Sequence, residues 1–188
     1  GGANDVMGDD NSGEARSFDP ETGEYCSFTP DTKVKTEQGP KAIGTLKPDE
    51  KVWAYNPKTG QMEWQPIVHV WIHSDSDLVD LTITADQPSQ QGKPAKQTSE
   101  VVHTNKEHPF LTTEKGFLPV GQIKLGMHVL RADGTTGVIT GWKLVPGTTV
   151  MYNLEVAQDH TFTVGSGQWV VHNCGIDGTP DPANRVDG

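Results

Sequence analysis

Residues 149–174, TVMYNLEVAQDHTFTVGSGQWVVHNC, determine how the rest of the chain is interpreted. Runs rich in β-branched and aromatic residues occur in this stretch at 149–156, 160–164 and 168–172. Such runs are typical of β-strands. The last run ends on His172-Asn173-Cys174, where three chemically versatile side chains follow one another. The stretch therefore predicts strands that lead into a reactive tripeptide.

The remainder of the chain follows the same pattern and predicts an all-β fold with little helix. Further strands are predicted at 66–73, 78–84, 126–131 and 136–145. The turn sequences NPKTG (56–60) and ADGTTG (132–137) suit the connections between such strands. Residues 85–100 are polar and predict a long surface loop, while a short helical turn is expected near 40–46.

An internal repeat indicates that the β-unit is duplicated. Residues 34–60 laid over 111–137 give eight identities, among them Gly39/Gly116 and Gly44/Gly121. We expect the two copies to pack about a pseudo-twofold axis within one compact domain, because the repeat is too long for a solenoid array.

Composition limits the classes of function. The chain carries 25 acidic and 15 basic residues, a net charge of −10, which argues against a nucleic-acid surface. No apolar run approaches the ~18 residues that a membrane span needs. His69 and His73 share one face of a predicted strand, which we interpret as solvated; no metal or cofactor is expected, and we expect a monomer.

The C-terminal tripeptide can break its own backbone. The amide of Asn173 can attack the Asn173 carbonyl, close a succinimide and release the amine of Cys174. His172 can polarise that carbonyl or protonate the leaving nitrogen. A polar strand end without chemistry is the alternative interpretation of these residues.

A second reactive position opens the β-rich part of the chain. The thiol of Cys26, in YCSFTPDTKV, can attack the preceding carbonyl of Tyr25 and convert the amide into a thioester. His108, in HTNKEHPFL, is the candidate proton donor, and Thr104 or Asn105 could hold the scissile peptide by hydrogen bonds. His108 could equally be a structural buried histidine.

Three ordered motifs resemble those of inteins and bacterial intein-like domains, members of the Hint (Hedgehog/intein) superfamily. CSFTPDTKV is similar to the opening motif, NKEHPFLTTEKGFLPVGQIKLGMHVL to the central histidine motif, and MYNLEVAQDHTFTVGSGQWVVHNC to the C-terminal motifs. The similarity covers residues 26–174. The short distance from His108 to the last motifs leaves no space for a homing endonuclease.

The resemblance implies a role for each matching residue. Cys26 would form the thioester, His108 would activate the Tyr25–Cys26 bond, and Cys174 would attack the thioester. Asn173 would then cyclise with the help of His172 and His160, releasing residues 26–173. The flanks, 1–25 and 174–188, would be the domain's own substrate. Similar domains lie within large secreted or cell-surface bacterial proteins.

Two positions depart from the family pattern. Asn105 stands where many members have Thr, and Asn153 stands where many inteins have Asp. These changes make cleavage without ligation a plausible outcome beside splicing.

Two other functions stay open from the sequence. The first is a Cys/His hydrolase that acts on other proteins, with Cys26 as nucleophile and His108 as base. The second is a non-catalytic β-domain closed by a disulfide between Cys26 and Cys174.

Overall fold

The chain was analysed as a computed structural model, which describes residues 26–86 and 96–173. These residues form thirteen strands and two short 3₁₀ helices, so the all-β expectation is confirmed. The strands are β1 (Lys33–Thr36), β2 (Gly39–Ala42), β3 (Lys51–Asn56), β4 (Gln61–Asp75), β5 (Leu78–Asp86), β6 (Gln97–Asn105), β7 (Pro109–Thr112), β8 (Gly116–Pro119), β9 (His128–Leu130), β10 (Thr136–Val145), β11 (Thr149–Val156), β12 (Thr161–Val164) and β13 (Trp169–His172). The 3₁₀ helices are η1 (Ile43–Thr45) and η2 (Val120–Gln122).

All the strands belong to one curled antiparallel sheet. Its order is β11-β4-β3-β1-β12-β13-β7-β9-β10-β5-β6, with β2 paired to β1 and β8 paired to β7. Phe28 connects the two ends of this order, because its backbone bridges both Thr104 on β6 and Tyr152 on β11. The segment that follows Cys26 therefore closes the sheet on itself.

The internal repeat is visible in the order of elements. Strands β1 and β2, helix η1 and strand β3 recur 77 residues later as β7, β8, η2 and β9. Even the backbone conformation recurs, since Asp49 and Gly126 occupy equivalent positions with φ of +79° and +90°. The duplicated β-unit predicted from sequence is therefore present in the fold.

The predicted surface loop at 85–100 was partly wrong. Strand β5 continues to Asp86 and β6 begins at Gln97, so only 87–95 of that prediction lies outside the described residues. Residues 97–99 pair with β5, and their polar side chains are exposed. The Glu100 carboxylate instead accepts hydrogen bonds from the Gly167 N–H at 3.0 Å and from Trp169 Nε1 at 2.9 Å. Hydrophobic patterning does not reveal such an edge strand.

An aromatic cluster occupies the centre of the core. Phe28, Phe110 and Phe162 are each fully buried, and Phe28 contacts the other two rings edge-on at centroid distances of 6.1 and 6.0 Å. His108 lies in this cluster, with its ring centroid 4.1 Å from that of Phe28. The core thus surrounds one of the predicted catalytic side chains.

No helix among the described residues is long and apolar enough to cross a membrane.

Candidate self-processing site

Cys26 lies against the backbone of the segment that carries His108. Cys26 is buried, and its Sγ lies 3.7 Å from the carbonyl oxygen of Glu107, the residue before His108. Cys26 is disulfide-bonded, and Cys174, the chain's other cysteine, lies outside the described residues. This disulfide occupies the sulfur atom that the sequence predicts as the nucleophile.

His108 is held as a neutral imidazole. The ring is fully buried, and neither ring nitrogen has a hydrogen bond of good geometry in the described part of the chain. Burial lowers the pKa of His108 well below its usual value, nearby His172 lowers it further, and the backbone of His172 opposes the shift more weakly. A neutral buried imidazole can pass a proton between a thiol and a leaving amine without first losing a charge.

Thr104 and Asn105 bind the residue that follows Cys26. The Thr104 hydroxyl donates to the Ser27 carbonyl at 2.9 Å, and Asn105 Oδ1 accepts from the Ser27 N–H at 3.3 Å. All three residues are buried. Thr104 and Asn105 therefore hold the backbone on the C-terminal side of Cys26. The sequence predicts them at the scissile peptide itself, which includes Tyr25 and lies partly outside the described residues.

A carboxylate that was not predicted from the sequence, that of Asp75, lies beside Ser27 and Asn105. Asp75, the last residue of β4, accepts hydrogen bonds from Asn105 Nδ2 and from Ser27 Oγ, the latter at 3.4 Å. His73 Nε2 lies 3.8 Å from the same Asp75 oxygen. Asp75 belongs to the polar run SDSD (74–77), which looks like an ordinary turn, so this role could not be predicted from sequence.

The interpretation of His69 and His73 as a solvated strand face was wrong. His73 is buried beside Asp75, while the half-buried His69 stacks on Trp71 at a centroid distance of 4.1 Å. Burial also lowers the pKa of His69. No group of three or more His, Cys, Asp or Glu side chains suited to a metal occurs within 26–86 and 96–173.

His172 and Asn173 form the second centre at the end of β13. His172 Nδ1 lies 2.9 Å from the carbonyl oxygen of Asn173, the carbonyl of the Asn173–Cys174 peptide. Burial lowers the pKa of His172 to about 4, with a contribution from His160, although the bond to Asn173 opposes it. A neutral imidazole at this distance donates its Nδ1–H and polarises the carbonyl carbon for attack.

His160 lies on the other side of Asn173. The Asn173 N–H donates to the His160 carbonyl at 2.7 Å, so the backbone of Asn173 is fixed. In one orientation of the Asn173 amide, Nδ2 lies 3.4 Å from His160 Nδ1. In the other, Nδ2 donates to the carbonyls of Leu154 and His160 at 3.0 and 3.2 Å, which satisfies the group better.

The turn that carries His160 is strained and acidic. Gln158 and His160 both have positive φ, +58° and +56°, which non-glycine residues adopt rarely. Asp159 between them is buried, and one of its oxygens lacks a hydrogen-bond donor. Burial and the facing Glu63 carboxylate raise the pKa of Asp159 to about 7, so Asp159 keeps its proton while the pKa of Glu63 is lowered.

Sheet pairing brings the two centres together. Phe110 on β7 pairs with Val171 on β13 in antiparallel register, and continuing that register places His108 opposite Asn173. The Coulombic effect of His172 on the pKa of His108 agrees with this proximity. Asn153 lies on β11 beside Trp71, buried and with an Oδ1 that lacks a donor within the described residues.

A single-sheet β-domain that is built on a duplicated unit and gathers Cys, His and Asn at its chain ends has the Hint architecture. The chain matches the pretoxin Hint domain family over residues 33–176 and belongs to that family. The family-level function of this fold is self-processing.

Solved structures agree with the assignment. The bacterial intein-like domain of Clostridium thermocellum is 27% identical, with a TM-score of 0.69 that covers 80% of this chain and all of the other. The DnaB intein of Synechocystis sp. PCC 6803 shares the fold, with 17% identity, a TM-score of 0.59 and coverage of 80% and 99%. The gp41-1 intein is 19% identical at a TM-score of 0.59, covering 80% and 100%. No curated protein matches the chain.

Proposed function

We propose that residues 26–173 form a single-turnover domain that cleaves its own chain at Tyr25–Cys26 and Asn173–Cys174. The flanks 1–25 and 174–188 are then the substrate. The family's description as pretoxin suggests that cleavage after Asn173 releases the part of a longer protein that follows. Ligation of the two flanks through Cys174 is the additional step that would make the reaction splicing.

The C-terminal step is an intramolecular substitution at the Asn173 carbonyl. Asn173 Nδ2 forms a bond to that carbonyl carbon, the bond to the Cys174 nitrogen breaks, and a proton moves from the amide to the leaving amine. His172 polarises the carbonyl oxygen, and His160 fixes the backbone of Asn173. A positioned donor of this kind contributes about 10²–10⁴-fold to a rate.

The N-terminal step moves the acyl group of Tyr25 from nitrogen to sulfur. Cys26 Sγ forms a bond to the Tyr25 carbonyl carbon, the bond to the Cys26 nitrogen breaks, and the thiol proton ends on the new amine. His108, neutral and buried against Phe28, is the group proposed to carry this proton.

The observation that carries the proposal is the 2.9 Å contact between His172 Nδ1 and the Asn173 carbonyl oxygen. It aims a donor at the atom where negative charge develops when the Asn173 side chain attacks. Because the imidazole is neutral and desolvated, its N–H acts in a setting of low dielectric constant.

Burial argues against the hydrolase alternative. Cys26 is 2% exposed and His108 is 0% exposed, so a separate protein substrate has no path to the pair. The disulfide at Cys26 is the feature that the non-catalytic alternative expects. It is also compatible with self-processing, provided that the disulfide is first reduced to free the Cys26 thiol.

Intact mass over time, under reducing conditions, tests the proposal. We expect a fragment of residues 26–173 less one water, the mass of a C-terminal succinimide. Joined flanks would mean splicing, and separate flanks would mean cleavage alone. Cys26→Ala should block only the first junction and Asn173→Ala only the second, while His108→Ala should stall scission at Tyr25–Cys26 selectively.

The outcomes separate the three functions. If wild type, Cys26→Ala and Asn173→Ala all stay at full mass for days with added thiol, the self-processing proposal is wrong. The disulfide-closed, non-catalytic domain is then the remaining function. Cleavage of an added, unrelated polypeptide with both flanks still attached would favour the hydrolase.

A further inference from the structure

We propose that Asp75 is a positioning residue for the N-terminal step, because its carboxylate orients the Asn105 amide that holds the backbone beside Cys26. This inference rests on the proposed function and assigns a part of the same site that neither the motifs nor the family resemblance indicates.

Asp75 lies at the end of β4 and reaches the start of the domain. Its Oδ2 accepts hydrogen bonds from Asn105 Nδ2 and, at 3.4 Å, from Ser27 Oγ. Its Oδ1 accepts from the Asp77 N–H at 3.1 Å, which fixes the carboxylate in a tight turn. One side chain thus connects β4, β6 and the residue that follows the nucleophile.

The carboxylate decides which way the Asn105 amide points. The two ends of an amide have nearly the same shape, so packing alone does not distinguish the oxygen from the nitrogen. An ionised carboxylate accepts hydrogen bonds but cannot donate them, so it selects the NH₂ end. Asn105 Oδ1 is thereby directed to the Ser27 N–H at 3.3 Å.

The charge state of Asp75 maintains this selection. Burial favours the protonated acid, but the nearby His73 and the hydrogen bonds from Asn105 and the Asp77 N–H outweigh that effect and lower the pKa of Asp75 to about 2. The carboxylate is therefore an acceptor at every pH at which the domain is assayed.

The result is that both peptide groups of Ser27 are fixed. Asn105 holds the Ser27 N–H, and Thr104 holds the Ser27 carbonyl at 2.9 Å. Cys26 is joined directly to this anchored residue, so the direction from which Sγ approaches the Tyr25 carbonyl depends on it. Correct orientation of reacting groups makes large contributions to intramolecular rates.

Two substitutions separate the acceptor role from the charge. Asp75→Ala removes the acceptor, whereas Asp75→Asn removes the charge and keeps one oxygen for Asn105. Asp77→Asn is the matched control, because it removes a charge two residues away on an exposed side chain. The rate of Tyr25–Cys26 scission is measured by intact mass with excess dithiothreitol in an Asn173→Ala background, and the Asn173–Cys174 rate is measured in a Cys26→Ala background.

We expect Asp75→Ala to slow the N-terminal rate by about tenfold or more, with Asp75→Asn recovering only part of the loss, because its oxygen can accept from Asn105 but its NH₂ end can also turn toward it. Asp77→Asn and the C-terminal rates of all variants should stay close to the parent. An unchanged N-terminal rate in Asp75→Ala, equal slowing at both junctions, or an Asp75→Asn variant as slow as Asp75→Ala would each overturn the inference.

A measurement without cleavage distinguishes failure of this inference from failure of the proposed function. In the Cys26→Ala, Asn173→Ala double variant, hydrogen exchange of the Ser27 amide and the NMR signals of the Asn105 side-chain NH₂ report the network directly. Adding Asp75→Ala should speed Ser27 exchange and shift the Asn105 signals, and Asp75→Asn should restore both in part. If wild type cleaves at neither junction while these signals respond as described, the proposed function fails and the positioning of Ser27 stands; signals that do not respond overturn the positioning.

Discussion

At the scale of single residues, the assignment of His172 is the most direct to test. Its Nδ1 contacts the Asn173 carbonyl oxygen, and removing that donor should leave the developing negative charge without a partner. We expect His172→Ala to slow scission at Asn173–Cys174 by about 10²-fold or more, while thioester formation at Cys26 continues. Intact mass in a Cys26→Ala background gives the first rate, and thiol-induced cleavage in an Asn173→Ala background gives the second.

His128→Ala is the matched control for that substitution. His128 is an exposed histidine that pairs with Glu114 at 2.6 Å, away from the described junction residues. His128→Ala should leave the scission rates at both junctions unchanged. If His172→Ala cleaves after Asn173 as fast as wild type, the contact between His172 and the Asn173 carbonyl is only structural. The proposed donor at this junction would then be wrong, and His160 would be the histidine to test next.

The roles of individual residues could be predicted from sequence only where a motif names them. Cys26, His108, His172 and Asn173 are recognisable because each stands in a short pattern with a chemical reason. Asp75 and Asp159 are not, because a carboxylate in a polar turn looks the same whether it faces solvent or a buried amide. Their roles depend on partners that only the folded sheet brings close, Asn105 on β6 for Asp75 and Glu63 on β4 for Asp159.

At the scale of elements, the turn between β11 and β12 should respond to pH. In the unfolded chain Asp159 ionises near 3.8, but in the fold its pKa is raised to about 7 by burial and by Glu63. Between these values the folded state holds a proton that the unfolded state has lost. The free energy of unfolding contributed by this group therefore falls as pH rises from about 4 to 7.

Asp159→Asn removes this dependence, because the amide is neutral at every pH and can still donate to Glu63. We expect the urea midpoint of the variant to match wild type near pH 4.5 and to exceed it at pH 8. Asp77→Asn, which also removes one acidic charge, should follow the wild-type profile. Parallel profiles for Asp159→Asn and wild type would show that the carboxyl pair does not share a proton.

The repeat makes a second prediction at this scale. Asp49 and Gly126 occupy equivalent positions with positive φ, a conformation that costs a non-glycine residue about 1 kcal/mol or more. Asp49→Gly should relieve strain and Gly126→Ala should introduce it, with opposite changes of about 1 kcal/mol in the free energy of unfolding. Urea denaturation measures both, and changes of the same sign would contradict the equivalence of the two units.

At the scale of elements, strands with a buried apolar face were predicted from the sequence more accurately than strands made mostly of polar, unburied residues. Strands β10 and β11 match the predicted ranges 136–145 and 149–156 because apolar residues mark their buried faces. Strand β6 was not predicted at all, because polar residues fill its first half and only Val102, Thr104 and Asn105 are buried. The first residues of β4, Gln61–Gln65, escaped for the same reason, since none of them is buried.

At the scale of the whole molecule, one residue closes the sheet. Phe28 exchanges backbone hydrogen bonds with Tyr152 on β11 at 2.8 and 2.7 Å and also bridges Thr104 on β6. Its ring is fully buried against His108. The fold therefore uses the segment next to the nucleophile as the connection between its two edge strands, so stability and the geometry of the N-terminal centre depend on the same side chain.

Phe28→Ala should lower the free energy of unfolding by about 3–5 kcal/mol, because it leaves a cavity beside His108, Phe110 and Phe162. Phe28→Leu, which keeps most of the volume, should cost clearly less. Because Phe28 adjoins Ser27, the substitution should slow Tyr25–Cys26 scission more than Asn173–Cys174 scission when both are measured below the unfolding transition. If scission slows equally at the two junctions while the chain is still folded, Phe28 stabilises the core and does not position Cys26. If scission slows more at Tyr25–Cys26, the contacts of Phe28 that close the sheet also position Cys26.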